Sequence, residues 1–300
     1  MSVLVAAALD ATVAEPPARG HPVVWTGHYL DEVARAVPAA PPCRAVLGGG
    51  SAWLGGALAA VAVAMAVERA ASRIGGPGRL ALRGLALWPL LSARLLLAEV
   101  RAVETALGRD TASGRAALAR IVSRDTADLS PEEVRGAAIE SLAENLSDSF
   151  VGPLFWYLLA GLPGAALYRF ANTADACWGY RTPRWRYAGR VAARADDALN
   201  LVPARLTAAL LLGLGDWGLL RREARRTSSP NAGWPMAALA LRLDLRLPKR
   251  DHYVLNPAGA APVAGDVERA LRLARRTAVV ATAIAAATEH LISREQGAPR

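Results

Sequence analysis

Ala45-Val-Leu-Gly-Gly-Gly-Ser-Ala-Trp-Leu-Gly-Gly-Ala-Leu-Ala-Ala-Val-Ala-Val-Ala-Met-Ala-Val67 is a run of 23 residues without a charge. At about 1.5 Å per residue, a helix of that length crosses a hydrocarbon core of roughly 30 Å. Working outward, 84–100 is apolar apart from Arg94 and Glu99, and 150–168 gives 19 uncharged residues. The run 201–220 is interrupted by Arg205 and Asp216, and 277–288 is apolar but too short to span alone. Strand signals are nearly absent. The chain therefore reads as all-α, a polytopic integral membrane helical protein with four or five apolar segments, and as a single domain over 1–300. Buried helices of a large soluble bundle are the competing reading.

Composition agrees with the membrane reading. The chain is 53% hydrophobic and 20% charged, and its mean hydropathy is +0.21, which excludes a disordered or fibrous chain. Its net charge is +9, and of its 35 basic residues only Lys249 is a lysine. Basic residues collect in nucleic-acid binders, in anion-binding sites and in the cytoplasmic loops of membrane proteins. No nucleic-acid signature accompanies the arginines. The stretch 221–276 holds 12 basic against 5 acidic residues and reads as a basic cytoplasmic loop. The stretch 101–148, with 6 basic and 9 acidic residues, has helical periodicity and reads as an amphipathic helical region. Within it, Asp110 and Ser130 are candidate N-caps, the latter followed by Pro131, Glu132 and Glu133. The apolar start of the chain, 1–9, lacks the basic flank and cleavage site of a signal peptide. Cys43 and Cys177 are far apart and suggest neither a disulfide framework nor a zinc site.

The few polar residues fall in clusters. Arg124-Asp125-Thr126 is the first. The second is Glu140, Glu144, Asn145 and Asp148, with carboxylates at i, i+4 and i+8 on one helical face. Such a face is either solvated or needs a cation or arginine, because like charges at that spacing repel by a few tenths of a kcal/mol per pair. The third is Asn172-Thr173-Ala174-Asp175, followed by Trp178-Gly179-Tyr180. The fourth is Arg194, Asp196-Asp197, Asn200, Pro203 and Arg205, and the fifth is the turn Ser228-Ser229-Pro230-Asn231-Ala232-Gly233-Trp234, next to Arg221, Arg222, Arg225 and Arg226. Oxygen-only sets of this kind suit Mg²⁺ held by one or two carboxylates plus substrate phosphates. An Asp–Arg structural network at a helix entrance is the alternative. No Walker-type phosphate loop, nucleophile elbow or zinc-protease motif is present.

Several stretches together resemble the CobD/CbiB family of cobalamin biosynthesis: Glu140-Ser-Leu-Ala-Glu-Asn-Leu-Ser-Asp148, Pro153-Leu-Phe155, Gly161-Leu-Pro-Gly164, Tyr168, Asn172-Thr-Ala-Asp175, Gly179-Tyr180, Gly189, Ala193-Arg-Ala-Asp-Asp197, Asn200 and Pro203-Ala-Arg205. Leu9-Asp10, His21-Pro22-Val23, Gly27, Ile121-Val-Ser-Arg-Asp-Thr126 and Ser229-Pro-Asn-Ala-Gly-Trp234 extend the likeness over nearly the whole chain. Two stretches depart from the family pattern. Val13-Ala14-Glu15-Pro16 stands where the family reads Gly-Asp-Pro, and Pro248-Lys249-Arg250-Asp251-His252-Tyr253 stands where it has Gly-Gly before Tyr.

The resemblance implies a multi-pass inner-membrane ligase with adenosylcobinamide-phosphate synthase activity. Such an enzyme joins aminopropanol or its phosphate to adenosylcobyric acid as an amide. Membrane lipid and other membrane-bound corrinoid enzymes would be its surroundings, and nucleic acid would not be a partner. ATP as the activating agent, with Mg²⁺, is the expected cofactor pair. On that reading Glu144, Asp148, Asp196 and Asp197 are candidate metal ligands, and Asn200 and Asp125 candidate nucleotide contacts. Asn145, Asn172, Tyr180 and Asn231 are candidate substrate contacts. Arg124, Arg194 and Arg205 would offset transferring charge, and Asp175 would take the proton from the ammonium. A simple span over 150–168 would put Asp148 and Asp196 on opposite membrane faces. Pro153 and Gly161-Leu-Pro-Gly164 therefore predict a re-entrant run or a pair of half-helices, with the site facing the cytoplasm. A prenyl- or phosphoalcohol transferase and a non-enzymatic membrane sensor are the alternatives.

Overall fold

The computed structural model describes residues 1–13 and 15–297, with side chains to residue 294. Ala14 and residues 298–300 lie outside the described residues. The helices are α1 (Ser2–Val13), α2 (Pro22–Ala34), α3 (Pro42–Ile74), α4 (Gly76–Leu87), α5 (Ala93–Leu107), α6 (Thr111–Leu118), α7 (Pro131–Leu146), α8 (Gly152–Trp178), α9 (Arg190–Leu199), α10 (Leu201–Leu212), α11 (Trp217–Ala224), α12 (Gly233–Leu243) and α13 (Asp266–Gly297). A two-stranded antiparallel hairpin, β1 (Leu247–Lys249) and β2 (Tyr253–Leu255), is the one sheet among the described residues.

Among the described residues three helical stretches are long and apolar enough to cross a membrane: Pro42–Ile74, Gly76–Leu107 and Pro131–Trp178. The other expected segments are shorter. Leu201–Leu212 is an apolar helix of 12 residues, and 277–288 is the middle of α13, whose arginines precede it. On α3, Leu47, Leu54, Leu58 and Val63 are all more than half exposed. A row of exposed aliphatic side chains on an uncharged helix is what lipid would cover.

The chain divides into two compact units. The first comprises 1–92, 152–200 and 282–300; the second comprises 93–151 and 201–281. In the first, Leu30 of α2, Ala57 of α3, Phe170, Ala174 and Trp178 of α8 and Ala192 of α9 form a core. The expected break in 150–168 is present: Ala160 and Gly161 leave helical geometry, and Gly161 takes φ 65°, ψ −159°, a conformation open to glycine alone. The half-helix that follows is capped by Glu68 of α3, which accepts the Leu162 N–H at 3.2 Å and pairs with Arg83.

In the second unit, α7 starts as its sequence predicts. The Ser130 side chain accepts from Glu133 N–H while the Glu133 carboxylate accepts from Ser130 N–H, a complete capping box. Asp110 likewise caps α6. The stretch 221–276 is not a loop. Most of its arginines lie outside α12, eight of whose eleven residues are buried, and the hairpin follows. Net charge counted over the whole window hides an eleven-residue apolar helix at its centre.

Candidate functional site

In the first unit the polar residues of the third and fourth clusters meet along the α8–α9 seam. Tyr168, Asn172 and Asp175 occur at i, i+4 and i+7 and so share one face of α8; Asp196, Asp197 and Asn200 share one side of α9. Asn172 Nδ2 donates to Asp196 Oδ1 at 3.3 Å, and Arg169 Nη1 donates to Asn172 Oδ1 at 3.4 Å. The Tyr168 hydroxyl donates to Asn200 Oδ1 at 3.2 Å, with both side chains buried. Asp175 and Asp197 lie within electrostatic range of each other. Partial burial pushes the Asp197 carboxyl above the usual carboxylate range, and nearby Arg194 pulls it partly back. Arg194 itself is exposed.

Close packing fixes the end of α8. Gly179 N–H donates to the Asp175 carbonyl at 2.6 Å. A Cβ on residue 179 would lie 2.7 Å from both Asp175 Cγ and the Asp175 carbonyl oxygen, and closer still to Oδ1. The following loop is held by a stack of Trp178 on Trp185, with centroids 5.1 Å apart and planes 13° apart. Arg184 covers the Trp185 ring at 4.4 Å and donates to the Ala34 carbonyl of α2. Tyr180, on this loop, is 46% exposed.

Also in the first unit, the altered stretch around Glu15 is built into a hydrogen-bonded group that the sequence reading did not anticipate. His21 Nε2 approaches Glu15 Oε2 at 3.1 Å, and Ser92 donates to Glu15 Oε1. His21 Nδ1 accepts the Val23 N–H, which assigns the ring proton to Nε2. Burial opposes ionisation of Glu15, but the bonds from His21 and Ser92 and the charge of Arg169 outweigh it and hold the carboxyl below its usual value.

The second unit holds the remaining clusters. Glu140, 1% exposed, pairs with Arg124, so the first residue of the acidic helix face is neutralised by arginine and not solvated. Glu144 and Asn145 follow on α7, half-buried, and Asn145 Nδ2 donates to the Ser141 carbonyl at 3.0 Å. Asp148 sits in a π-helical turn, Ser147–Val151, so it leaves the α-helical spacing assumed from sequence. Such wide turns recur at functional sites. Asp125 is exposed, and its carboxylate accepts the Ala127 N–H. Arg205 donates to Leu201 O at 2.6 Å and to Asn231 Oδ1 at 3.2 Å and lies 4.7 Å over the Trp234 ring. Asn231 is buried, so Arg205 and Asn231 brace the turn before α12. The hairpin brings Lys249 and Tyr253, absent from the sequence-derived site, toward Glu140. The one signal for them was that Lys249 is the chain's sole lysine.

Of the expected metal ligands, Asp196 and Asp197 belong to the first unit and Glu144 and Asp148 to the second. Among the described residues no group of three or more His, Cys, Asp or Glu side chains could hold an ion. The donor chemistry of the α8–α9 seam, carboxylates and amides only, still suits Mg²⁺ carried by phosphate oxygens, which needs one or two protein carboxylates.

The model of the CobD/Cbib protein family matches residues 3–283. A probable cobalamin biosynthesis protein CobD of Methanothermobacter thermautotrophicus is 39% identical over 266 residues, covering 85% of this chain and 86% of the relative. The probable CobD of Pyrococcus furiosus is 36% identical, covering 91% and 93%. The cobalamin biosynthesis protein CobD of Chromobacterium violaceum is 39% identical over 298 residues, covering 91% of each chain. No solved structure matches. With nearly the full length matched, by the family model and by relatives well above 30% identity, the chain belongs to the CobD/CbiB family.

Proposed function

We propose that this protein acts in cobalamin biosynthesis as a membrane-embedded ligase, forming an amide between adenosylcobyric acid and aminopropanol or its phosphate. The observation that carries the reading is the α8–α9 seam, where Asn172, Asp175, Asp196 and Asp197 gather oxygen donors in a chain otherwise poor in polar side chains. An amide does not form from a carboxylate and an ammonium in water without acyl activation, and ATP is the expected activator. Asp196 and Asp197 would hold Mg²⁺ with the nucleotide phosphates, and the ion would neutralise phosphate charge there. Asn172, bonded to Asp196 and Arg169, keeps the Asp196 carboxylate oriented. Arg194 offsets negative charge beside Asp197. Asp175 is suited to accept the proton that the ammonium must lose before it attacks. Tyr168 and Asn200 fix the two helices against each other below the seam.

The transferase and sensor readings draw no support from the relatives, whose names assign them to cobalamin biosynthesis. Membranes containing the protein, given adenosylcobyric acid, ATP and aminopropanol phosphate, should yield the amide and leave isoprenyl diphosphate untouched. Asp196→Ala or Asp197→Ala should abolish the product at unchanged protein abundance. Full activity in either variant would remove that residue from the site.

A further inference from the structure

The first unit also holds a cavity that shares no lining residue with the α8–α9 seam. It measures about 1000 Å³ and lies among the end of α3, the first turns of α4, the broken stretch of α8 and the last turns of α13. Along α3 it marks the border of the apolar run. The uncharged stretch stops at Val67, Glu68 lines the cavity, and Arg69 and Arg73 follow, both exposed. On a helix long enough to span, that change from uncharged to charged residues sets the depth of the lipid headgroups.

Charge in the cavity is uneven. Both of its carboxylates already have donors. Glu68 accepts the Leu162 N–H and pairs with Arg83. Glu289 accepts the Ser2 and Val3 N–H groups at 2.9 and 3.1 Å and the Tyr157 hydroxyl at 3.2 Å. Arg79 is the charge left over: half-buried on the α4 wall, its guanidinium makes no hydrogen bond or ion pair with a described residue. A guanidinium is a fork of donors matched to phosphate oxygens, and basic pockets between membrane helices bind anionic headgroups. Leu80, Leu159 and Ile292 line the same cavity and are exposed, a surface that suits acyl chains better than water. A cation and bare aliphatic side chains together, at headgroup depth, match an amphiphile. A soluble phosphate would satisfy Arg79 and leave the aliphatic wall uncovered.

We propose that this cavity binds an anionic phospholipid, with Arg79, assisted by Arg83, on the phosphate and Leu80, Leu159 and Ile292 along the chains. Ala160 and Gly161 lie in the same wall, so the lipid braces the break in α8 and, through it, the half-helix that carries Asn172 and Asp175. The site does not depend on the amide-forming reading.

The test titrates the full-length protein in detergent with dioctanoyl phosphatidylglycerol, dioctanoyl phosphatidylcholine and glycerol 3-phosphate, read by calorimetry. Wild type should bind phosphatidylglycerol about tenfold more tightly than phosphatidylcholine, because the surplus positive charge opposes the choline cation. Arg79→Gln should weaken phosphatidylglycerol binding about tenfold, the scale of one charge-assisted hydrogen bond, and Arg79→Lys should restore most of it. Without lipid the unfolding midpoint of Arg79→Gln should equal that of wild type, since no described contact is lost; with phosphatidylglycerol only wild type should rise clearly. Unchanged binding in Arg79→Gln, equal wild-type affinity for the two lipids, or glycerol 3-phosphate bound as tightly as phosphatidylglycerol overturns the proposal. Should Arg79→Gln fail to fold, Leu159→Asn, at an exposed position, decides: weaker phosphatidylglycerol binding supports the lipid site and unchanged binding overturns it.

Discussion

Gly179→Ala isolates the packing that shapes the α8–α9 seam. The added Cβ would meet Asp175 Cγ and the Asp175 carbonyl oxygen at 2.7 Å each, against an ordinary contact distance of about 3.5 Å. The carbonyl has little freedom, since it already accepts the Gly179 N–H at 2.6 Å, so the Asp175 carboxylate and the start of the loop must move by close to an ångström. Overpacking of this kind costs about 1–3 kcal/mol of stability. A displacement of about 1 Å in a reacting group lowers turnover by about a hundredfold. Gly27→Ala is the matched control. It lies inside α2 with nothing within 4 Å of the new methyl, so it should stabilise by about 0.5–1 kcal/mol. Both variants would be assayed for thermal inactivation in detergent and for amide formation. If Gly179→Ala matched Gly27→Ala in both, the argument that Gly179 holds Asp175 in place would be refuted.

Glu140→Ala leaves Arg124 without its buried partner and should cost about 3–5 kcal/mol, seen as a lower unfolding midpoint, whereas Arg124→Met combined with Glu140→Leu should recover much of the loss. Equal destabilisation in the single and double variants would count against the pairing. Glu15 has a carboxyl held below its ordinary value of 4.5, so its bonds stabilise the fold above that value and the contribution disappears as pH falls through the lowered one. Glu15→Gln should flatten the acid side of the stability profile; a profile identical to wild type would exclude linkage through this group.

Much of this architecture could be read from local rules. The uncharged run of α3 and the capping box at Ser130 are set by neighbouring residues, and the break at Gly161 follows from Gly and Pro chemistry. The grouping of Asn172 and Asp175 follows from helical period, and their meeting with Asp196 and Asp197 needs only that the loop 179–189 fold α9 back onto α8. What could not be read depends on contacts between distant positions. Arg124 reaches Glu140 across 16 residues, and Ser92 reaches Glu15 across 77. The π-helical turn at Asp148 breaks a spacing that looked regular. Burial of α12 was masked because its arginine-rich flanks dominate any average over 221–276.

The stacked indoles of Trp178 and Trp185 also give the molecule an optical signature. Two chromophores 5.1 Å apart and nearly parallel couple their transitions, so the pair should produce a paired band in circular dichroism. Because Arg184 lies over the same stack and ties it to Ala34, that band would report directly on the backbone between the two tryptophans, without any attached label.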